Sequence, residues 1–300
     1  MRRVIACVAG FCLAGCAGSG AATAVTDDTL AAGETLAAAD TSPPSDSAAD
    51  SQAPDAAAAD TAGAEAGVSD GGPVWIAGKR RLTGAAYFFT ATGVGAIEQQ
   101  KAVTGAKAYL LDFPEVATPV AADGSFGFSG LAEGGEFTVA VVHPDYFPSL
   151  SPIITVGATD VSGVNFQVVT QLIAVYLGVL VGFDSSNPSQ CQMVVTVTAA
   201  GDNQQLWWAP GEPGATVNVT PTPTPEHGPF YFNKSVVPDK ALTMTTTDGG
   251  VLVAGAAPGV YTWTAHKDGT PFSSQRLRCV GGWLTNGVPP FGLQAAAGGK

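Results

Sequence analysis

The chain has few charged residues and very few basic ones. It contains 13 Lys and Arg against 25 Asp and Glu in 300 residues, and its net charge is −12. Beyond residue 78 there are 15 acidic and 11 basic residues, spread along the sequence without a basic cluster. Nucleic-acid binding requires positive patches that neutralise phosphates. We therefore predict no nucleic-acid partner.

The sequence also lacks the common catalytic and cofactor motifs. HExxH, Walker A, GxGxxG and the nucleophile elbow are all absent. The three histidines are isolated, and we expect them to be solvated or capping residues. Asp123 and Asp248 form the one acidic pair that recurs between two similar segments, and a turn is sufficient reason for both. We predict no enzyme activity, no cofactor and no metal, although a carboxylate pair formed only in the folded chain stays open.

Long hydrophobic runs are absent too. After Arg2 and Arg3, the apolar run from Val4 to Leu13 has the length of a signal peptide, whereas a membrane span needs roughly 20 residues. The following Leu-Ala-Gly-Cys16 resembles the lipobox of bacterial lipoproteins. That resemblance implies removal of residues 1–15, lipidation of Cys16 and attachment to the membrane through the lipid. An ordinary secretory signal is the alternative.

The resemblance to lipoproteins also implies a location. Ala17 follows the cysteine, and the Asp that retains some lipoproteins in the inner membrane is absent there. We predict a bacterial cell-envelope protein, anchored in the outer membrane.

Residues 16–78 are predicted to be a disordered acidic tether. Between Ala17 and Gly78 there is no Lys or Arg but ten acidic residues, and most other positions are Ala, Ser, Thr, Pro or Gly. Such a segment cannot bury enough apolar surface to offset its chain entropy. As a coil it would span on the order of 40 Å, and charge repulsion would extend it further.

Two stretches of the remaining chain have nearly the same pattern. They read DGSFGFSGLAEGGEFTVAVV at 123–142 and DGGVLVAGAAPGVYTWTAH at 248–266. In each, Asp-Gly predicts a tight turn, alternating apolar residues predict a half-buried strand, and a Gly-containing turn precedes an aromatic-Thr strand. Upstream, residues 105–110 match residues 214–219. The chain therefore contains an internal repeat of β-rich units.

Further period-two runs flank these segments in both copies. They lie at 85–90, 107–111, 152–156 and 164–168 in the first copy, and at 192–198, 216–220, 242–246 and 275–280 in the second. Short strands at this spacing indicate an all-β sandwich.

The order of these strands and turns resembles the carboxypeptidase regulatory-like family. The resemblance implies two tandem transthyretin-like (Ig-like, prealbumin-like) antiparallel sandwiches, at 79–169 and 190–296. Asp145 departs from the family pattern, which has Gly before Tyr146, and the Pro-rich segment 221–240 is longer than the pattern requires. The shared residues are turn and core residues, so they predict fold and not activity.

Residues 170–189 form an apolar connector between the repeats. Its core, QLIAVYLGVLVGF at 171–183, is compatible with a helix by length and with a strand by its Val and Ile content. We favour a helix packed against one sandwich. Because the run is apolar on all sides, we expect protein to cover it.

Five cysteines are present, and Cys7, Cys12 and Cys16 belong to the signal and lipobox. Outside the cytoplasm the remaining Cys191 and Cys279 most simply form a disulfide. Two buried free thiols are the alternative.

Aromatic residues of the second repeat are the candidates for ligand binding, namely Trp207, Trp208, Tyr231 and Trp283. Exposed aromatics can stack on sugar rings, so a carbohydrate-binding lipoprotein is one hypothesis. The other is a non-catalytic surface lipoprotein that presents its sandwiches for structural or protein-interaction roles. Trp207 and Trp208 would then pack under the 221–240 loop. The corresponding partners are an envelope protein or a polysaccharide.

Light proteolysis of the mature chain tests the predicted tether. Because residues 17 to about 75 are expected to be accessible, cleavage should release a stable fragment that begins between Val74 and Leu82, as measured by mass spectrometry. Strong amide protection across the tether in hydrogen exchange would contradict the prediction.

Overall fold

We describe a computed structural model for residues 78–89, 101–185, 187–201 and 209–296. The first repeat contains nine strands and the second contains nine more, so the predicted all-β fold class is confirmed. The first nine are β1 (Arg80–Phe88), β2 (Lys107–Leu110), β3 (Phe113–Pro119), β4 (Ser125–Leu131), β5 (Glu136–Phe137), β6 (Val139–Val142), β7 (Ser149–Leu150), β8 (Ile154–Thr155) and β9 (Val161–Val168). The others are β10 (Cys191–Thr198), β11 (Thr216–Thr220), β12 (Phe230–Phe232), β13 (Pro238–Asp239), β14 (Gly250–Ala256), β15 (Gly259–His266), β16 (Ser274–Cys279), β17 (Leu284–Gly287) and β18 (Leu293–Gln294). A helix, α1 (Gln171–Val181), lies between the repeats.

The two repeats share one strand topology. In the first, β1 pairs antiparallel with β4 and parallel with β9, while β6 lies between β2 and β7. In the second, β10 pairs antiparallel with β14 and parallel with β17, while β15 lies between β11 and β16. The repeated sequence pattern thus encodes a repeated arrangement of two facing sheets.

Each repeat has its own hydrophobic core. In the first, Phe126 and Phe128 of β4 face inward against Phe166 of β9. In the second, Trp263 and Met193 are fully buried between the sheets.

One sheet continues across both repeats. Its order is β13-β12-β14-β10-β17-β7-β6-β2-β3, with β18 also pairing with β10. The crossing occurs where β17 of the second repeat runs parallel to β7 of the first, with Leu284 opposite Ser149 and Thr285 opposite Leu150. The sequence pattern did not predict this pairing. The domain boundaries given above stay a prediction.

Three expectations about strands were wrong. The run at 137–142 is interrupted at Thr138, so that β5 pairs with β8 while β6 joins the large sheet. β14 is buried along its whole length, not half-buried. Residues 242–246 form no strand but an irregular segment with a bend, in which the Thr245 hydroxyl donates to the Glu212 carbonyl and accepts from the Ala215 N–H.

Helix α1 begins and ends at clear capping residues. The Thr170 hydroxyl accepts a hydrogen bond from the Ile173 N–H, and Gly182 takes the left-handed conformation that ends many helices. Its C-terminal half packs with Phe183 and Phe230 on the outer face of β14. The expectation that protein covers the whole helix was wrong, since Leu172 is 77% exposed and Val179 is 66% exposed.

The predicted disulfide between Cys191 and Cys279 is confirmed. It joins β10 to β16, and therefore the two facing sheets of the second repeat, with 5.5 Å between the Cα atoms. Both cysteines are buried.

Replacing both cysteines, as Cys191→Ala/Cys279→Ala, should lower the free energy of unfolding measured in urea. The bridge closes a loop with a sequence separation of 88, for which loop-closure entropy gives at most about 4.5 kcal/mol. Reductant in urea should bring the wild-type chain to the same stability and leave the variant unchanged. Finding two reactive thiols in the oxidised, denatured mature chain would refute the prediction.

Candidate functional site

The junction between the repeats is where polar and aromatic side chains from distant parts of the chain converge. The Leu284 N–H donates to the Pro148 carbonyl at 3.0 Å, and the Ile153 N–H donates to the Arg276 carbonyl at 2.8 Å. The first bond belongs to the pairing of β17 with β7, and the second joins β16 to the segment that follows β7. Main-chain atoms therefore hold the repeats together.

Two ion pairs cross the same junction. Arg276 Nη1 lies 2.6 Å from Glu136 Oε1, and Arg278 Nη1 lies 2.5 Å from Asp112 Oδ1. All four side chains are partly exposed, and such pairs contribute roughly 0–1 kcal/mol each. Their main effect is therefore to select one orientation of the second repeat against the first.

Trp283, a candidate ligand-binding residue, lies in this junction. Its ring and that of Tyr109 of the first repeat form a T-shaped pair with 6.5 Å between centroids, and Trp283 is half-buried. Burial also raises the pKa of Tyr109. The indole therefore has a packing partner within the chain.

Tyr231 is only 5% exposed. Its hydroxyl accepts a hydrogen bond from the Val217 N–H at 3.0 Å, and burial raises its pKa. Phe230 and Phe232 beside it are buried as well. A sugar ring could not reach these side chains. Trp207, Trp208 and Cys16 lie outside the described residues.

The histidines have local partners. His143 Nδ1 accepts from the Asp145 N–H and its ring packs on Tyr146, while His227 and His266 contact Thr224 and Thr264. Within the described ranges, no group of three or more His, Cys, Asp or Glu side chains is placed to hold a metal ion. The same ranges contain no helix with the length and apolarity to cross a membrane.

The first repeat has an open groove of about 580 Å³ that is lined by residues of β1, β4 and β9 and by the end of β3. Small and neutral residues line most of it, including Thr83, Thr118, Ser125 and Asn165. Arg81 is its one charged residue. This lining offers hydrogen bonds but no side chain suited to act as a general base.

The two Asp-Gly turns differ chemically although they are equivalent in sequence. Asp123 is exposed, and hydrogen bonds from the Ser125 hydroxyl and N–H lower its pKa. Burial raises the pKa of Asp248 to about 6, opposed only by a hydrogen bond from the Gly250 N–H. The second repeat has Gly where the first has Ser, so it lacks the hydroxyl donor.

Comparisons with known proteins give no family. No protein-family model and no curated protein matches the chain. The solved structures that resemble it include the minor pilin GBS52 of Streptococcus agalactiae, with 9% identity and a TM-score of 0.25, covering 74% of this chain and 98% of the pilin. The TIE protein of Bacillus anthracis has 10% identity and a TM-score of 0.24, over 73% of this chain and 34% of that protein.

A double mutant of the shaft pilin SpaA from Lactobacillus rhamnosus GG is also similar. It has 11% identity and a TM-score of 0.22, over 74% of this chain and 99% of the pilin. At these TM-scores the likenesses carry no functional conclusion.

Asp248→Asn should stabilise the chain at pH 7.5 and have little effect near pH 4. Asp248 holds its proton up to about pH 6 when folded, whereas the unfolded chain loses it near its ordinary pKa of 3.8. The protonated carboxyl therefore contributes its full stabilisation below about pH 4. That stabilisation is lost as the pH rises through 6, and the free energy of unfolding falls by at most about 3 kcal/mol. Urea denaturation at several pH values measures the difference.

Asp123→Asn is the matched control. The pKa of Asp123 is lowered on folding, so its carboxylate stabilises the fold above pH 4 and loses that effect as the pH falls. The control should not stabilise the chain at pH 7.5. Equal losses of stability from both substitutions at that pH would contradict the assignment.

Proposed function

We propose that this chain is a non-catalytic lipoprotein of the bacterial cell envelope that presents two joined β-sandwiches to protein partners. The observation that carries the proposal is the sheet shared by the two repeats, together with the ion pairs across their junction. A fixed orientation of the two β-sandwiches suits a protein that presents a surface of each sandwich to partners.

The anchor is the second part of the proposal. The Leu-Ala-Gly-Cys16 motif behind a short signal would place acyl chains on Cys16, and more than one chain is needed for stable attachment. The acidic tether would then link the body to the membrane, and we propose that this is the outer membrane. In this proposal the repeats are carboxypeptidase regulatory-like domains used as structural units.

Mass spectrometry of the mature N-terminus tests the anchor. Chain isolated from the membrane should begin at an acylated Cys16, and Cys16→Ala should abolish incorporation of a clickable fatty acid in cells. Cys191→Ala/Cys279→Ala is the control, because it should keep the label. A mature chain that begins elsewhere without a lipid would overturn the anchor.

The structural role is tested separately, by charge reversal at the junction. Arg276→Glu/Arg278→Glu should change which envelope proteins are captured by photo-crosslinking on whole cells, because the variant repels Glu136 and Asp112. Adding Glu136→Arg/Asp112→Arg should restore the wild-type pattern. Turnover of any substrate by the purified chain on a broad hydrolase panel would overturn the non-catalytic proposal.

A further inference from the structure

Helix α1 presents four large apolar residues to solvent. Leu172, Val175, Tyr176 and Val179 are 77%, 44%, 46% and 66% exposed. Their spacing of i, i+3, i+4 and i+7 puts them on one face, about 100° wide. A surface helix normally turns such a stripe towards the core. We call these four residues the α1 stripe.

The opposite face of the helix includes small residues that pack closely against the protein. The helix therefore cannot rotate to bury the stripe in their place. Ala174 and Gly178 are buried there, and a Cβ on Gly178 would lie 2.5 Å from Ser185 Oγ and 2.7 Å from the Phe183 carbonyl. The Ser185 hydroxyl donates to the Ala174 carbonyl and accepts from the buried Gln192 amide. These contacts fix the rotation of the helix, so the stripe stays outward.

Charge is absent along the helix and before it. From Val161 to Phe183 the sequence has no acidic or basic residue, and charges begin only at the C-terminal end, with Asp184 and Lys240. The Lys240 ammonium lies near this end, 3.5 Å from where a Cβ on Gly182 would be. The stripe, with three aliphatic residues and one Tyr, therefore offers acyl chains an apolar contact but no charge that would attract anionic headgroups.

The size of the stripe argues against a second copy of the chain as its occupant. The four side chains expose on the order of 400 Å² of mostly apolar surface. A standard interface buries about 800 Å² on each partner. With 11 residues, the helix is also too short to span a bilayer, which needs roughly 20.

We propose that the α1 stripe docks the body onto the acyl chains of a phospholipid bilayer. The inference rests on the proposed lipid anchor, which would keep a bilayer within reach of the body at the end of its tether. A weak apolar contact then becomes effective because the anchor raises the local concentration of lipid. The stripe acts as a second membrane contact that lays the joined sandwiches on the surface.

Photolabelling of the full acylated chain in phosphatidylcholine vesicles tests this docking. The vesicles carry a diazirine on one lipid acyl chain, and mass spectrometry locates the label. We expect label on the N-terminal Cys16 peptide and on the peptide spanning 171–181. Leu172→Asn/Val179→Asn should reduce the helix label at least about tenfold and leave the N-terminal label unchanged.

Val260→Asn is the matched control, because Val260 is 43% exposed on β15 of the second sandwich. It should change neither label, and thermal melting should show that all variants fold. Adding anionic phosphatidylglycerol should not increase the helix label, since the stripe is uncharged; an increase would overturn docking by apolar contact.

The outcomes separate the docking from the anchor. Label on the N-terminus alone would overturn the docking and leave the anchor standing. Label on the helix without an acylated Cys16 would overturn the anchor and support the docking. A crosslinked dimer joined through α1 in the absence of vesicles, or equal helix label in the Asn variant and wild type, would overturn the docking.

Discussion

The parallel pairing of β17 with β7 is the contact on which the arrangement of the two repeats depends. It is only two residue pairs long, so main-chain bonds, two ion pairs and the Trp283–Tyr109 contact must support it. The disulfide contributes indirectly. Cys279 ends β16, and a turn through Trp283 leads directly into β17. The bond that holds β16 to β10 therefore also restrains the strand that makes the junction.

The insertion at 221–240 and helix α1 cover an apolar face of the second repeat that would otherwise be exposed. Its strand β14 is apolar on both faces, whereas the equivalent β4 alternates buried and exposed residues. An apolar outer face needs a cover, and Phe230, Phe232 and Phe183 supply it. β12 also pairs with the free edge of β14. The Pro-rich segment, which has no counterpart in the first repeat, thus covers the outer face of β14 in the second repeat.

The sequence could predict those features of the fold that depend on residues close together in the chain, and not those that depend on distant contacts. Turn residues and the alternation of apolar with polar residues are local patterns. The Asp-Gly and Gly turns therefore located most strands. The disulfide followed from counting cysteines. The junction could not be predicted, because β7 and β17 are too short to show a period and pair across more than 130 residues. The protonation state of Asp248 depends on its burial in the folded chain, which no local sequence pattern contains. Thr170 and Gly182 are recognisable helix caps in the sequence, whereas the orientation of α1 depended on contacts at Gly178.

Prolines mark both ends of the shared sheet. One terminal strand, β3, contains Pro114 and Pro119, and the other, β13, begins with Pro238. Proline lacks the N–H that a further strand would need, so such edges resist pairing with another chain. Glu115, exposed on β3, adds charge to the same edge. The shared sheet therefore continues from one repeat into the other through the parallel pairing of β17 with β7. At its two outer strands, β3 and β13, the prolines disfavour pairing with a strand of another chain.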